Sequence, residues 1–417
     1  MPRTEPINAA RGVRDILPGE LPLWRKAESE AAATARRYGY EEIRTPIIEP
    51  AELIERIGAD TDAVAKELYR FERPGQQTLA LRPEATAGVV RAYFENGLNQ
   101  APKLARLYLI GPMFRHDRPQ KGRYRQFFQF NVEVIGGGSP AFDAEVIEVA
   151  ERWLRAVGID DLRLELNSIG DSNCRPRYLE KLKEYYRPLK PQLHGDCQLR
   201  LETNPLRLLD CKVPQCQPFK AGAPRITDHL CDECAAHWDS VQKLLDAAGI
   251  EYQNNPYLVR GLDYYTRTVF ELFPAGATGQ QDALGGGGRY DGLAEAEGRA
   301  PTPAVGFASG LDRVTELMRE KSSLAPTPAA DVLVIPIGEM PLEAAEVARL
   351  CRAVRSTTVD YEPRNFPAKM RLAETLGVKW AVIMNPAQAG RRLLRLREMA
   401  TGSESEMSWD DLAQKLK

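Results

Sequence analysis

Apolar residues recur at three- and four-residue intervals through Leu21, Trp24, Ala27, Ala31, Ala35 and Tyr38, which predicts one helix with a single buried stripe, ended at Gly39. The period then changes. YEEIRTPIIEP (residues 40–50) reads as a short strand interrupted by Pro46, which suits a sheet edge or an interface better than a sheet centre. TLALRPEATAGVVRAYF predicts a strand closing at Pro83 and a helix with Glu84 in its first turn, where a carboxylate complements the helix dipole. Within residues 103–135 two strands, ARLYLIGPMF and RQFFQFNVEVIG, flank a polar loop; a helix near 142–157 and the strand RLELNSIG follow. In the second of these strands alternation sends Phe128, Phe130, Val132 and Val134 to one face and Gln129, Asn131 and Glu133 to the other. The sum is a mixed, largely antiparallel sheet.

Residues 171–250 break the pattern with helical stretches, several prolines, most of the cysteines and no strong strand, so they read as an insertion. Strands resume at 258–273, 281–287 and around Val305 and Phe307, followed by a helix whose buried stripe is Leu311, Val314, Leu317 and Met318. KSSLAPTPAAD (321–331) has linker composition, and beyond it strand and helix alternate in a small α/β domain. The expected organisation is therefore 1–170 and 251–322 as two parts of one domain, 171–250 as the insertion, and 331–417 as a separate domain.

With 417 residues the chain has room for two or three cores. Its 56 basic and 58 acidic residues leave a net charge of −2, so any polyanion site must be a local patch. No run of apolar residues is long enough for a membrane span and the start lacks a signal-peptide core, which predicts a cytoplasmic protein. Seven cysteines are too few for a disulfide scaffold.

That local patch is FRHDRPQKGRYR (114–125): Arg115, Arg118, Lys121, Arg123 and Arg125 against Asp117 give +4. Arginine forks suit phosphate oxygens, although a lone basic loop is more often a solvated hairpin tip. The polar strand face next to it favours a ligand pocket. ALGGGGRYDGL (283–293) offers backbone that a ligand or a neighbouring strand can approach, or a bulge. LVRGLDYYTRTVFE (258–271) gathers Arg260, Tyr264 and Tyr265 at the approach to a strand, and Arg313 stands at a strand-to-helix junction. Cys211, Cys216, Cys231 and Cys234 have the spacing of a four-thiolate zinc site with His229 and His237 nearby, or are buried reduced thiols; no metal is assigned to them.

YEEIRTPIIEP, FRHDRPQKGRYRQF with Glu133 downstream, and VGFASGLDRV resemble the three signature motifs of class II aminoacyl-tRNA synthetases, and LVRGLDYYTRTVFE and GGGRYDGL resemble the two motifs particular to the histidyl-tRNA synthetases. The likeness covers nearly the whole chain. It implies an α+β fold: an antiparallel-sheet catalytic domain with a helical insertion, and a C-terminal α/β anticodon-binding domain. It implies a ligase that activates histidine with ATP, with Mg²⁺, and passes it to histidine tRNA. By this resemblance Arg115 holds the α-phosphate and the histidine carboxylate, Arg123 and Arg313 bind the outer phosphates, and Arg260 is the catalytic arginine. Glu84, Thr86 and Gln129 receive the α-ammonium; Glu133, Tyr264 and Tyr265 read the imidazole; Arg118 and Gln120 meet the tRNA acceptor end. Ala85 stands where the family has Gly. A homodimer joined through the first motif is implied as well. Residues 331–417 carry 13 basic against 12 acidic residues, and MNPAQAGRR and Pro367 depart from the family pattern, so no anticodon contact is carried over. The alternative is a histidine-binding regulatory relative without charging activity. Such relatives lack the C-terminal domain and the arginine-bearing motif, both of which this chain has.

Overall fold

A computed structural model describes residues 7–58, 67–72, 74–100, 104–118, 122–260, 264–277, 282–321 and 330–417. The chain divides at Ser323/Leu324 into two units. In the first, eight strands form one sheet, in the order Glu41–Glu42, Ala105–Phe114, Gln126–Ile135, Ala304–Gly310, Gly285–Arg289, Thr266–Pro274, Leu162–Ser168 and Gln253–Asn254. Its six inner strands are antiparallel, and only the two-residue edge strands pair in parallel. Pro46 has the expected effect: the 40–50 segment gives one edge strand here and a second, Ile48–Pro50, in a separate three-stranded sheet with Leu79–Leu81 and Arg70–Phe71.

The alternation in Gln126–Ile135 decides what each face does. Phe130, Val132 and Val134 join Trp153, Phe307 and Leu272 in a core covered by the helices Leu21–Arg37, Pro140–Ala156 and Leu311–Lys321. Phe130 meets the Trp153 and Phe307 rings edge-on at 5.0 and 5.3 Å, the geometry aromatic quadrupoles favour. The polar face of the same strand is turned the other way.

The glycine run is a strand at the middle of the sheet, with a register shift between Gly288 and Arg289. Its glycines are required by neighbours: a Cβ on Gly287 would overlap the Gly306 carbonyl, and one on Gly306 would overlap the Glu133 carboxylate. Arg289 is fully buried against Asp143 and donates to Gly137 O and Ser139 O at 3.1 Å each, so it is a structural cation.

The 171–250 segment is helical, with Arg175–Tyr186, Gly195–Thr203 and Asp232–Ala247 as its main helices. It belongs to the first unit. Asp232–Ala247 packs on Pro140–Ala156, and Tyr178, Leu182 and Tyr186 share a core with Leu258, Val259 and Tyr265. The second unit is a five-stranded sheet in the order Thr357–Val359, Val332–Pro336, Trp380–Met384, Leu393–Glu398, Glu404–Ser408, parallel across the first three and antiparallel beyond. Pro367 opens the helix Phe366–Leu376 instead of interrupting it, because it sits in the first turn and Asn365 accepts from Ala368 N at 3.0 Å.

Candidate active site

The basic loop is tied down at its base. Arg115 N donates to Arg125 O at 2.9 Å, Arg125 N donates to Gly12 O at 2.7 Å, and the Arg115 Nε donates to Pro83 O at 2.9 Å. The Arg115 guanidinium lies over the Phe127 ring, 5.4 Å from its centroid. Across from it Arg313 donates to Ala283 O at 2.7 Å and Gly122 O at 3.3 Å. Arg260 is ion-paired with Glu271 and lies against Gly286, where a Cβ would stand 2.9 Å from its Nη1. The Gly-to-side-chain economy of the central strand thus leaves the space that the guanidinium fills.

Arg115, Arg123, Arg260, Arg313 and Lys212 line a single cleft of about 230 Å³, with Asp117, Glu271 and Asp312 as its acids and Gln129, Gly285, Gly286 and Ala308 among its floor residues. Arg123 is ion-paired with Asp117 at 2.8 Å. Burial, and next to it the charge of Arg123, pull the Arg313 guanidinium below its ordinary pKa; burial also lowers Arg115, with Arg123 adding to it against nearby Glu67 and Glu84. Guanidinium groups stay charged over any accessible pH, so these shifts express mutual repulsion and desolvation that a bound anion would relieve. At Arg260 burial opposes the charge, and Glu271 with the two phenols more than offsets it.

A second, buried group adjoins along the same strand. Four residues beyond Gln129, about 13 Å at strand rise, Glu133 is 2 % exposed and accepts hydrogen bonds from Thr86 Oγ at 2.8 Å and from the Tyr290 hydroxyl. Burial, supported by Glu84, pushes its carboxyl up to about 8 against those two hydrogen bonds. Tyr264 stacks between Tyr265 and Tyr290, with centroids at 4.8 and 5.8 Å. Burial raises all three phenols, so they remain protonated. Gln129 Oε1 and both amide atoms of Asn131 are buried with no hydrogen-bond partner among the described residues, which is what a pocket floor awaiting a polar ligand presents.

Glu84 stands before the helix it was expected to open from within its first turn. It precedes the helix Thr86–Glu95, and its carboxylate caps that helix by accepting from Thr86 N at 2.8 Å and Ala87 N at 2.9 Å. Arg118 is exposed on the loop outside the cleft, and Gln120 lies outside the described residues. Tyr290, Glu271 and Lys212 were not singled out from sequence. The GGGRYDGL motif contained a signal for Tyr290; nothing local marked Lys212, which reaches the cleft from the insertion.

The histidyl-tRNA synthetase family model matches residues 12–170 and 221–314, more than half of the chain, and an anticodon-binding domain model matches 331–417. The chain belongs to the histidyl-tRNA synthetase family. It is 45% identical over 414 residues to the histidine–tRNA ligase of Solibacter usitatus, covering 98% of this chain and 99% of that protein, and 44% identical to that of Desulforudis audaxviator, covering 99% and 98%. The solved structure of apo Staphylococcus aureus histidyl-tRNA synthetase superposes with a TM-score of 0.81 at 33% identity, over 98% of this chain and 99% of that one. The expected class II catalytic fold and C-terminal module stand in this family. No described helix is long and apolar enough to cross a membrane.

Proposed function

We propose that the chain joins histidine to ATP as histidyl-adenylate and then passes the histidyl group to the 3′ end of histidine tRNA. Family membership makes it an aminoacyl-tRNA synthetase, a ligase that uses ATP, histidine and tRNA. The observation that supports this chemistry best is the cleft itself, where four arginines from three separate segments surround one space above an antiparallel floor.

The histidine carboxylate attacks the α-phosphorus of ATP and pyrophosphate leaves with the bridging oxygen. A ribose hydroxyl of the terminal adenosine then displaces AMP from the adenylate. Arg115 and Arg260 are the guanidinium groups for the α-phosphate, and Arg123 and Arg313 those for the outer phosphates. Fixed in advance by backbone and carboxylate partners, these cations stabilise charge as it spreads over the phosphoryl oxygens without reorganising. Glu271 gives the cleft a hard oxygen donor of the kind Mg²⁺ takes alongside phosphates. Mg²⁺ bound with ATP would supply neutralisation of the departing pyrophosphate.

On the amino-acid side, Gln129, Glu84 and Thr86 receive the α-ammonium, and Glu133 with Tyr264 and Tyr265 reads the imidazole. An imidazole N–H donated to Glu133 favours the ionised carboxylate that burial otherwise disfavours. A ring without that donor leaves the buried acid unpaired, which gives discrimination. Arg118 and Gln120 serve the acceptor end of the tRNA, and residues 331–417 serve the anticodon.

A cytoplasmic homodimer completes the reading. Ile48, Phe71 and Leu79 are 52, 47 and 36% exposed on the three-stranded sheet beside the first motif, and Ile47 is 40% exposed. An apolar patch there is suited to a second copy. The test of function is ATP-dependent charging of histidine tRNA with labelled histidine. Charging is the expected result; histidine binding by folded protein without any charging would favour the regulatory alternative.

A further inference from the structure

Cys211, Cys216, Cys231 and Cys234, whose spacing allowed one four-thiolate site or buried reduced thiols, fall into two separate groups. Cys211 and Cys216 join His194 and Cys197, while Cys231 and Cys234 join Asp171 and Cys174, and within each group the four ligand atoms lie within 4.8 Å of one another. His229 stacks near Tyr178 and His237 bonds to Asp143 at 3.1 Å, so neither belongs to a group. We propose that the insertion holds two structural zinc ions, one on His194, Cys197, Cys211 and Cys216 and one on Asp171, Cys174, Cys231 and Cys234.

The spacing carries the argument. A tetrahedral zinc with Zn–S near 2.3 Å and Zn–N or Zn–O near 2.0 Å separates sulfur from nitrogen or oxygen by roughly 3.5 Å. His194 Nδ1 stands 3.5 Å from Cys216 Sγ and 3.8 Å from Cys211 Sγ; Asp171 Oδ1 stands 3.6 Å from Cys174 Sγ and 3.9 Å from Cys231 Sγ. Soft thiolates with one imidazole or carboxylate select zinc over hard cations.

An apolar cluster of thiols has no use for an imidazole nitrogen or a carboxylate at its centre. In both groups the non-sulfur member is also oriented from behind. His194 Nε2 faces Asp196 at 3.7 Å, and Asp171 Oδ2 faces Arg267 at 3.3 Å, as outer partners of metal ligands do. Three sulfurs per group would leave one thiol over if a disulfide formed, and all six are free.

The positions suit a brace. Asp171-x2-Cys174 and Cys231-x2-Cys234 tie the start of Arg175–Tyr186 to the start of Asp232–Ala247, and the other group ties Gly195–Thr203 to the turns around 211–216. Each group has a sequence neighbour that reaches the candidate site. Lys212, next to Cys211, lines the cleft, and Arg175, next to Cys174, donates to Tyr265 O at 2.6 Å.

The test is metal analysis of the full chain, produced without a metal-affinity tag and dialysed against metal-free buffer, together with absorption spectra after cobalt exchange. The expected result is about two zinc per chain and the strong visible bands of tetrahedral, sulfur-bound cobalt. Cys197→Ser and Cys174→Ser should each lose about one equivalent. A content near one overturns one site, and the variant that leaves it unchanged identifies which. Wild-type protein with negligible zinc, no cobalt bands and all thiols open to a thiol reagent overturns both, whatever the variants do.

Discussion

Glu133 is ionisable, buried and shared by two hydroxyl donors, and its raised pKa makes it a pH-dependent element of the fold. In the unfolded chain this glutamate loses its proton near its ordinary value, whereas in the folded chain it holds the proton to about 8. Between those values the folded state binds the extra proton, so the stability owed to this residue falls as pH rises, by at most about 1.4 kcal/mol per pH unit. Glu133→Gln removes that slope. Urea unfolding of both proteins from pH 5 to 8 should show the variant gaining on the wild type as pH rises, and a pH-independent difference would remove the assignment. In the proposed histidine pocket the same variant would lose the charge offered to the imidazole and should weaken histidine binding roughly 10- to 100-fold, in line with a charge-assisted hydrogen bond of about 1.5–3 kcal/mol.

At the scale of elements, the central glycine strand and its neighbour are where sequence and geometry constrain each other most. Gly306→Ala would drive a methyl into the Glu133 carboxylate, with Val132 O 2.6 Å from the new Cβ. Overpacking of this kind costs about 1–3 kcal/mol, and here it also displaces Glu133, the proposed reader of the imidazole. Thermal unfolding and histidine binding should both suffer; unchanged binding in a destabilised protein would separate Gly306 from the pocket. The alternating strand Gln126–Ile135 was legible in the sequence because one face is wholly apolar, and the arginines of the 114–125 loop because like charge in a near-neutral chain demands a partner. The glycine strand was expected at 281–287 and lies at Gly285–Arg289, since a run without side chains has no period to fix its bounds. The capping role of Glu84 differs from its expected place by two residues, within the ordinary blur of helix starts. The division of the cysteines into two groups depends on contacts such as that between Asp171 and Cys231, 60 residues apart, which no local spacing encodes. In the second unit Arg395 and Arg397 both pair with Glu404, at 3.3 and 3.0 Å, on a strand that sequence did not predict.

At the scale of the whole molecule, the two units divide the work. A chain ending near Ser323 should retain histidine-dependent adenylate formation while tRNA charging falls by an order of magnitude or more, because all the cleft residues lie in the first unit. Loss of both activities in a folded fragment would contradict that division. If the exposed apolar patch is the interface of the proposed homodimer, wild type should sediment as a dimer and Phe71→Asp as a monomer; an unchanged dimer in the variant would place the interface elsewhere, and a monomeric wild type would remove the dimer. The claim on which the rest depends is that Arg260 and Arg115 act together on one α-phosphate. Its most direct measurement is histidine-dependent exchange of labelled pyrophosphate into ATP, in wild type and in Arg260→Ala, with histidine omitted as control and histidine affinity measured in parallel. The expected result is exchange only with histidine, slowed about 100- to 1,000-fold in the variant while histidine affinity changes little. Exchange without histidine, or an Arg260→Ala protein that exchanges at the wild-type rate, would contradict it.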